Sequence, residues 1–124
     1  MNEKVKTLLI NQNSSIKEAI DIINKGLVGA AFIVEDSGKL VGIVTDGDIR
    51  RAILKDVKTD ISIRLVMNNR PFTLSHRPSL REAQEIMLRR HIMIIPIVDD
   101  DNLIIDYVYL MDINRQLKSL ADNT

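Results

Sequence analysis

One feature of the sequence constrains its fold more than any other: the chain consists of two copies of one unit. Shifting the sequence by 64 residues aligns residues 15–19 (SIKEA) with residues 79–83 (SLREA). The same shift pairs Asp48 with Asp112, near the end of each unit. Because one offset holds without a gap over most of each half, we expect the two halves to fold alike.

The same local elements are predicted in both copies. Ser15 followed by Glu18 is typical of a helix start, where a hydroxyl and a carboxylate satisfy free N–H groups, and Ser79 with Glu82 repeats the pattern. Gly26 can end the first of these helices. Two apolar runs then predict a β-hairpin in each copy, followed by a second helix. The predicted strands are residues 30–34, 40–44, 94–98 and 103–108.

An extended lead-in segment is expected before the first helix of each copy, at residues 6–10 and 70–74, with a short linker helix at 62–67. Each copy is then β-α-β-β-α. A unit of about 60 residues has a marginal core, so pairing the two sheets would stabilise both copies. We predict an α/β fold in which two repeats pack with pseudo-two-fold symmetry. The predicted boundaries are 1–58 for the first repeat, 59–69 for the linker and 70–124 for the second repeat.

Composition excludes several classes of protein. The 124 residues are 45% apolar and carry 17 basic and 17 acidic side chains, whereas a general nucleic-acid binder has a basic excess. The longest apolar run, residues 92–98, is far below the roughly 20 residues of a membrane helix. The absence of cysteine excludes disulfides and thiolate metal sites. We therefore expect a cytoplasmic protein that binds neither nucleic acid nor membrane.

The sequence contains no recognisable catalytic constellation. His76 and His91 stand in unrelated contexts, and each is interpreted as a surface or packing residue. The acidic residues 99–101 together with Asp106 resemble a hard-cation site, but a polar hairpin turn explains them as well, since residues 35–38 occupy the same place in the first copy. We predict no catalytic residue and no metal site.

The best candidate site is residues 42–51 (GIVTDGDIRR), where the second predicted strand meets a helix. A helix start offers free N–H groups, and Gly42 lets a ligand or a neighbouring backbone approach closely. Thr45 could face a phosphate and Asp48 the two hydroxyls of a ribose, with Arg51 adding positive charge. The alternative interpretation is structural: Thr45 caps the helix, Asp48 is a favourable acid in its first turn, and the arginines are solvated.

At this motif the sequence resembles the paired CBS-domain module, also called a Bateman module, over residues 5 to 120. The resemblance rests on the tandem copies and on three segments taken together. These are residues 42–48 (GIVTDGD), 65–74 (LVMNNRPFTL) and 95–99 (IPIVD). The resemblance implies a regulatory unit without catalytic activity, which dimerises and has no cofactor beyond a regulatory ligand such as AMP, ADP, ATP or S-adenosylmethionine.

Carried over residue by residue, the resemblance places Asp48 on the ribose and Thr45 on phosphate, with Ile43 nearby. Arg50 or Arg51 could substitute for a basic residue at the phosphate, and we assign Arg51 to the site. The residues implied on the other side of the cleft are Pro71, Phe72 and Thr73 against the base, with Met93 and Ile94 closing the cleft. Relatives that grip phosphate have basic residues before the proline, and this sequence has none there.

A second cleft is implied at the symmetry-related position, lined by Leu8, Leu9, Tyr109 and Asp112. Asp112 matches Asp48, but Tyr109 replaces the threonine and Asp106 replaces Gly42. A phenol cannot cap a helix as threonine does, and the extra carboxylate is unfavourable for phosphate. We predict that this cleft is degenerate or selects a ligand without phosphate, which leaves one competent site.

Residues 45–51 (TDGDIRR) look like the CBS pairs attached to sugar-phosphate enzymes, either nucleotidyltransferases of the mannose-1-phosphate guanylyltransferase type or arabinose-5-phosphate isomerases. Because Met1 directly precedes the pair, we expect the nucleotidyltransferase group, with the enzyme itself outside this chain. Two functional hypotheses follow: a sensor that regulates such an enzyme, and a structural dimerisation module with empty clefts. In both we expect a homodimer.

Overall fold

The structure is a computed structural model that describes residues 3–123. Helices and strands alternate in the order expected of two α/β copies, which confirms the fold class. The first copy contains α1 (Glu3–Lys6), β1 (Leu9–Asn11), α2 (Ile16–Gly26), β2 (Ala30–Val34), β3 (Leu40–Thr45) and α3 (Asp46–Leu54). The second contains α4 (Leu80–Arg90), β4 (Ile94–Val98), β5 (Ile104–Tyr109) and α5 (Leu110–Asp122), and a 3₁₀ turn (Ile63–Leu65) lies between the copies.

Each copy forms its own small sheet. In the first, β1 pairs parallel with β2, and β2 pairs antiparallel with β3. In the second, β4 pairs antiparallel with β5. The register shifts between Ile33 and Val34 in one hairpin and between Ile97 and Val98 in the other, which are equivalent positions. Both predicted hairpins are therefore confirmed, together with their internal repeat.

The predicted β-α-β-β-α order is complete only in the first copy. There the Phe32 N–H donates to the Leu8 carbonyl at 2.8 Å, which joins β1 to β2. Pro96 occupies the position of Phe32 in the second copy and has no N–H to donate. The lead-in to the second copy is reduced to one bridge, in which the Leu74 N–H donates to the Pro96 carbonyl at 3.1 Å. The prediction of a strand at 70–74 is wrong for this reason.

The helix starts follow the sequence more closely than the helix ends do. Ser15 and Ser79 each accept the N–H of the residue three positions later, at 3.2 Å, as predicted. The return bonds expected from the carboxylates of Glu18 and Glu82 are not formed, so that half of the prediction is wrong. At the C-terminus of α2, the residue in the left-handed conformation is Leu27 (φ 64°), one position after the predicted Gly26. Gly26 is needed instead for packing, because a Cβ there would lie 2.5 Å from the Leu8 side chain.

The core has three layers of apolar contacts, and the middle layer joins the two copies. Ala31 and Ile33 of β2 face helices α2 and α3, whereas Phe32 between them faces the other sheet. The middle layer is formed by both sheets, with Val5, Leu8, Ala30, Phe32, Leu40, Ile43, Ile94, Val98 and Ile104. Helices α4 and α5 cover the outer face of the second sheet. The two sheets therefore bury each other, as expected from the size of one copy.

Two segments differ from the sequence-based expectation. Residues 3–6 form the short helix α1, so the first lead-in is extended only over Leu9–Asn11. The predicted linker helix at 62–67 is shortened to the 3₁₀ turn Ile63–Leu65, capped by Ser62. Within residues 3–123, no helix has the length and apolar character needed to cross a membrane, and no cluster of candidate metal ligands is found.

Candidate functional site

A cleft of about 490 Å³ opens between the two copies, at the point where β3 ends and α3 begins. Its walls come from both halves of the chain, so neither copy forms it alone. The first copy and the linker contribute Val28, Gly29, Ile43, Thr45, Asp46, Gly47, Asp48 and Asn68. The second copy contributes Pro71, Phe72, His91, Ile92, Met93, Ile94, Pro96 and Tyr109.

The polar side of the cleft is the start of α3. The Thr45 N–H donates to Asp48 Oδ2 at 2.9 Å, and the Asp48 N–H donates to Thr45 Oγ1 at 3.3 Å. Arg51 Nη2 donates to Asp48 Oδ1 at 2.7 Å. The capping geometry of the structural interpretation is therefore present, and the same half-buried carboxylate also lines the cleft.

Gly42 lies behind this wall and admits a neighbouring backbone. A Cβ at this position would lie 2.6 Å from Met67 Sδ and 2.9 Å from the Asn68 carbonyl oxygen. That carbonyl accepts from the Ile43 N–H at 3.0 Å, and the Asn68 N–H donates to the Ile43 carbonyl at 2.8 Å. The glycine thus lets the linker bond to β3 and complete the edge of the cleft.

The opposite wall is formed by Pro71 and Phe72, as the resemblance implied. The Arg90 guanidinium carbon lies 3.8 Å from the Phe72 ring centroid, a cation–π contact that holds the ring. Because Pro96 has no N–H, the strand bond that the Phe72 carbonyl would otherwise accept is missing. Within residues 3–123 this carbonyl accepts no hydrogen bond.

Tyr109 was expected in the second cleft, but it lies in the wall of this one. The reason is strand pairing. Ile94 is opposite Tyr109 in the β4–β5 ladder, so Tyr109 at the end of β5 lies next to Ile94 in the cleft wall. Met93 and Ile94 line the cleft as predicted. Thr73 and Arg51 do not line it, and Arg51 contacts it only through Asp48.

Sequence reasoning missed several residues that line the cleft, on both copies. Val28 and Gly29 are the equivalents of Ile92 and Met93, and all four line the cleft. Gly29 has φ 72°, and its carbonyl accepts the Asp46 N–H at 2.9 Å. The repeat offset alone would have placed Gly29 in the symmetry-related cleft, whereas its bond to Asp46 at the end of the β2–β3 hairpin keeps it beside the start of α3.

The residues predicted for the second cleft lie beside the central core. Leu8 is 1% exposed, and Leu9 and Tyr109 pack against the same central core. The Tyr107 ring lies 5.9 Å from the Phe32 ring, and Arg77 donates to Asp106 Oδ2 at 2.5 Å and to the Tyr107 carbonyl at 3.1 Å. Tyr107 lies close enough to Asp112 for that carboxylate to influence its acidity, and the second cleft itself stays a prediction.

Burial of Tyr107 also affects its acidity. Removal of the phenol from water raises its pKa above the ordinary value of 10.0, and the carboxylates of Asp112 and Asp106 raise it further. The Arg77 guanidinium acts in the opposite direction. The uncharged phenol is therefore the form that this packed region stabilises.

Relatives of the chain include parts of longer proteins. It is 36% identical over 107 residues to the uncharacterized protein RP505 of Rickettsia prowazekii, covering 85% of this chain and 32% of that protein. It is 29% identical over 104 residues to the arabinose 5-phosphate isomerase KpsF of Escherichia coli, covering 83% of this chain and 32% of the enzyme. The chain thus spans about a third of the length of these curated relatives.

Solved structures share the fold. The CBS domain pair of protein MJ0100, in complex with 5′-methylthioadenosine and S-adenosyl-L-methionine, superimposes with a TM-score of 0.81 at 29% identity, covering 90% of this chain and 88% of that one. The CBS domain family itself matches the sequence twice, over residues 1–55 and 57–119. Two matches along one chain agree with the internal repeat, and the chain belongs to the CBS domain family as a tandem pair.

Proposed function

We propose that the chain is a ligand-sensing regulatory module that binds an adenosine-type nucleotide in the cleft between its repeats. The observation that carries the proposal is the position of Asp48 on one side of the cleft of about 490 Å³ and of Pro71 and Phe72 on the other. A nucleoside presents hydroxyls at its sugar and an apolar ring at its base. The two walls of the cleft match those two surfaces.

Asp48 is suited to hold the sugar. An ionised carboxylate only accepts hydrogen bonds, and its two oxygens offer about four acceptor sites. Oδ2 accepts from the N–H and the hydroxyl of Thr45, and Oδ1 accepts from Arg51. Oδ1 therefore retains the capacity to accept a ribose hydroxyl, and the existing bonds fix the carboxylate before a ligand arrives.

Phe72 is suited to hold the base. Phe72 lines the cleft together with the apolar residues Ile43 and Ile94, and Arg90 stacks on the Phe72 ring without itself lining the cleft. The unpaired Phe72 carbonyl provides an acceptor for the exocyclic amine that adenine carries. The adenosine ligands of the MJ0100 pair support the same choice of base for this chain.

The regulated protein belongs to the same proposal. The chain would shift the activity of an attached or partner sugar-phosphate enzyme, because a ligand held by both copies favours one arrangement of them over others. The likeness to KpsF supports the isomerase class. Residues 45–51 fit both enzyme classes, so the nucleotidyltransferase stays a prediction from the sequence, and the cytoplasmic location stays a prediction from composition.

Calorimetric titration of the chain with 5′-methylthioadenosine, S-adenosylmethionine, AMP and ATP tests the binding step. We expect at least one of them to bind, with binding lost in Asp48→Ala and retained in Asp112→Ala, the equivalent substitution in the second copy. Circular dichroism of both variants checks that they fold. If none of the four compounds binds, or if both variants bind alike, the proposal is wrong.

A structural dimerisation module is the second candidate, and the exposed apolar side chains of the first copy favour it. Leu27, Ile53 and Leu54 are 84%, 51% and 76% exposed, beside a groove between α2 and α3. Sedimentation velocity tests this homodimer: we expect a dimer that Ile53→Glu dissociates, with Arg50→Glu on the same helix as the charge control. A monomeric wild-type chain would exclude this candidate.

A further inference from the structure

The charged side chains that line the cleft are mainly acidic. Within residues 3–123, the cleft is lined by the acidic residues Asp46 and Asp48 and by no lysine or arginine, and Asp46 lies at the border with the groove between α2 and α3. Asp48 is paired with Arg51 at 2.7 Å, whereas Asp46 has no ion pair with any described residue. His91 is the one basic residue among the described residues that line the cleft.

The start of α3 offers little to an anion, although helix starts often bind phosphate. Three of its N–H groups are already used: Thr45 donates to Asp48 Oδ2, Asp46 to the Gly29 carbonyl, and Asp48 to Thr45 Oγ1. Among the N–H groups of this first turn, only that of Gly47 is open to a phosphate without displacement of one of these acceptors. A phosphate there would also lie beside the Asp46 carboxylate, which repels it.

The two nearest guanidinium groups are engaged elsewhere. Arg51 is bound to Asp48, and Arg90 is stacked on Phe72 outside the cleft wall. Neither arginine lines the cleft in the described chain. If Arg51 left Asp48 to bind a phosphate, the Asp48 carboxylate would lose its positive partner. It would then repel the bound phosphate.

We propose, as a refinement that rests on the adenosine site proposed above, that the cleft selects an adenosine derivative whose 5′ substituent carries no phosphate and is neutral or cationic. The Asp46 carboxylate provides the discrimination, because it stands uncompensated in the wall. Asp48 and Phe72 bind the part of the ligand that all adenosine compounds share. AMP, ADP and ATP are then progressively disfavoured as their negative charge increases.

The test compares Kd values of four probes on the same chain: 5′-methylthioadenosine, S-adenosylmethionine, AMP and ATP. We expect AMP to bind at least tenfold more weakly than 5′-methylthioadenosine, and ATP more weakly still. The AMP penalty should shrink at high salt, because screening weakens repulsion between charges near the surface. If AMP or ATP binds as tightly as 5′-methylthioadenosine and Asp48→Ala abolishes that binding, the selectivity is wrong while the adenosine site stands.

Two substitutions separate repulsion from other causes. Asp46→Asn should narrow the ratio of the AMP and 5′-methylthioadenosine Kd values severalfold, whereas Asp100→Asn, which removes an exposed charge in the β4–β5 turn, should leave the ratio as it is. If Arg51→Gln weakens the binding of AMP but not that of 5′-methylthioadenosine, Arg51 turns to bind the phosphate, and the proposal is overturned. Failure of all four probes to bind overturns this refinement together with the adenosine site.

Discussion

Thr45 and Asp48 hold each other at the start of α3: the backbone N–H of each donates to the side chain of the other, at 2.9 and 3.3 Å. The equivalent residues of the second copy are Tyr109 and Asp112, and Tyr109 makes no capping hydrogen bond at the start of α5, since its hydroxyl donates to Met111 Sδ at 3.1 Å. The two copies therefore differ in how their second helix is capped, although their backbones repeat.

The mutual cap predicts coupled effects on stability. Thr45→Ala and Asp48→Ala should each lower the free energy of unfolding by about 1 kcal/mol, because each leaves a helix-start N–H without its acceptor. The double variant should lose clearly less than the two single losses added together, since either substitution already breaks the pair. Urea unfolding of the four proteins measures the coupling, and Asp112→Ala, which should cost only a few tenths of a kcal/mol, is the matched control.

A second prediction concerns the close approach at Gly42. Gly42→Ala should destabilise the chain by about 1–3 kcal/mol, because the new Cβ meets the Asn68 backbone oxygen at 2.9 Å, and a backbone cannot move aside as a side chain can. Gly47→Ala is the control: its Cβ meets only the flexible Arg51 side chain at 3.2 Å, in a helix that favours alanine. Chemical unfolding of both variants measures their free energies of unfolding, and equal values would contradict the proposed role of Gly42.

Local sequence patterns predicted the elements well, and long-range contacts caused the errors. The serine caps and the strands Ala30–Val34 and Ile94–Val98 appear where the patterns placed them, because neighbouring residues alone determine them. The missing strand at 70–74 depends on whether a distant residue, Pro96, can donate a hydrogen bond. A pattern within 70–74 contains no information about that donor.

The candidate site shows the same division. Ile43, Thr45, Asp48, Pro71, Phe72, Met93 and Ile94 were singled out in the sequence, and the fold brings them to one cleft. Tyr109 reaches that cleft through its pairing with Ile94, a contact that spans the β4–β5 hairpin. Its placement required the strand register, which the sequence alone did not specify.

A third prediction concerns the packed region around Tyr107. Arg77→Gln should lower the free energy of unfolding by about 1 kcal/mol, because Arg77 bonds both the Asp106 carboxylate and the Tyr107 carbonyl. Arg115→Gln is the matched control: Arg115 pairs with Asp112 at 3.2 Å on the surface, and its loss should cost little. Thermal unfolding of the two variants distinguishes them, and equal losses would contradict a specific role for Arg77.

The last prediction is a loss of stability at alkaline pH. Because burial and the neighbouring carboxylates raise the pKa of Tyr107 above 10.0, the unfolded chain loses the phenol proton at lower pH than the folded chain does. The contribution of this group is fully present below pH 10 and is lost as pH rises from there through the folded pKa. Tyr107→Phe keeps the ring against Phe32 but removes the ionisation.

Urea midpoints measured on both sides of pH 10 test this expectation. The midpoint of the wild type should fall more steeply with pH than that of Tyr107→Phe, and Arg77→Gln should raise the pKa of Tyr107 further, because the guanidinium lowers it. The ultraviolet absorbance of the ionised phenol reports the same titration in the folded chain. Identical pH dependence of the wild type and Tyr107→Phe would mean that Tyr107 has the same acidity folded and unfolded, against the burial found here.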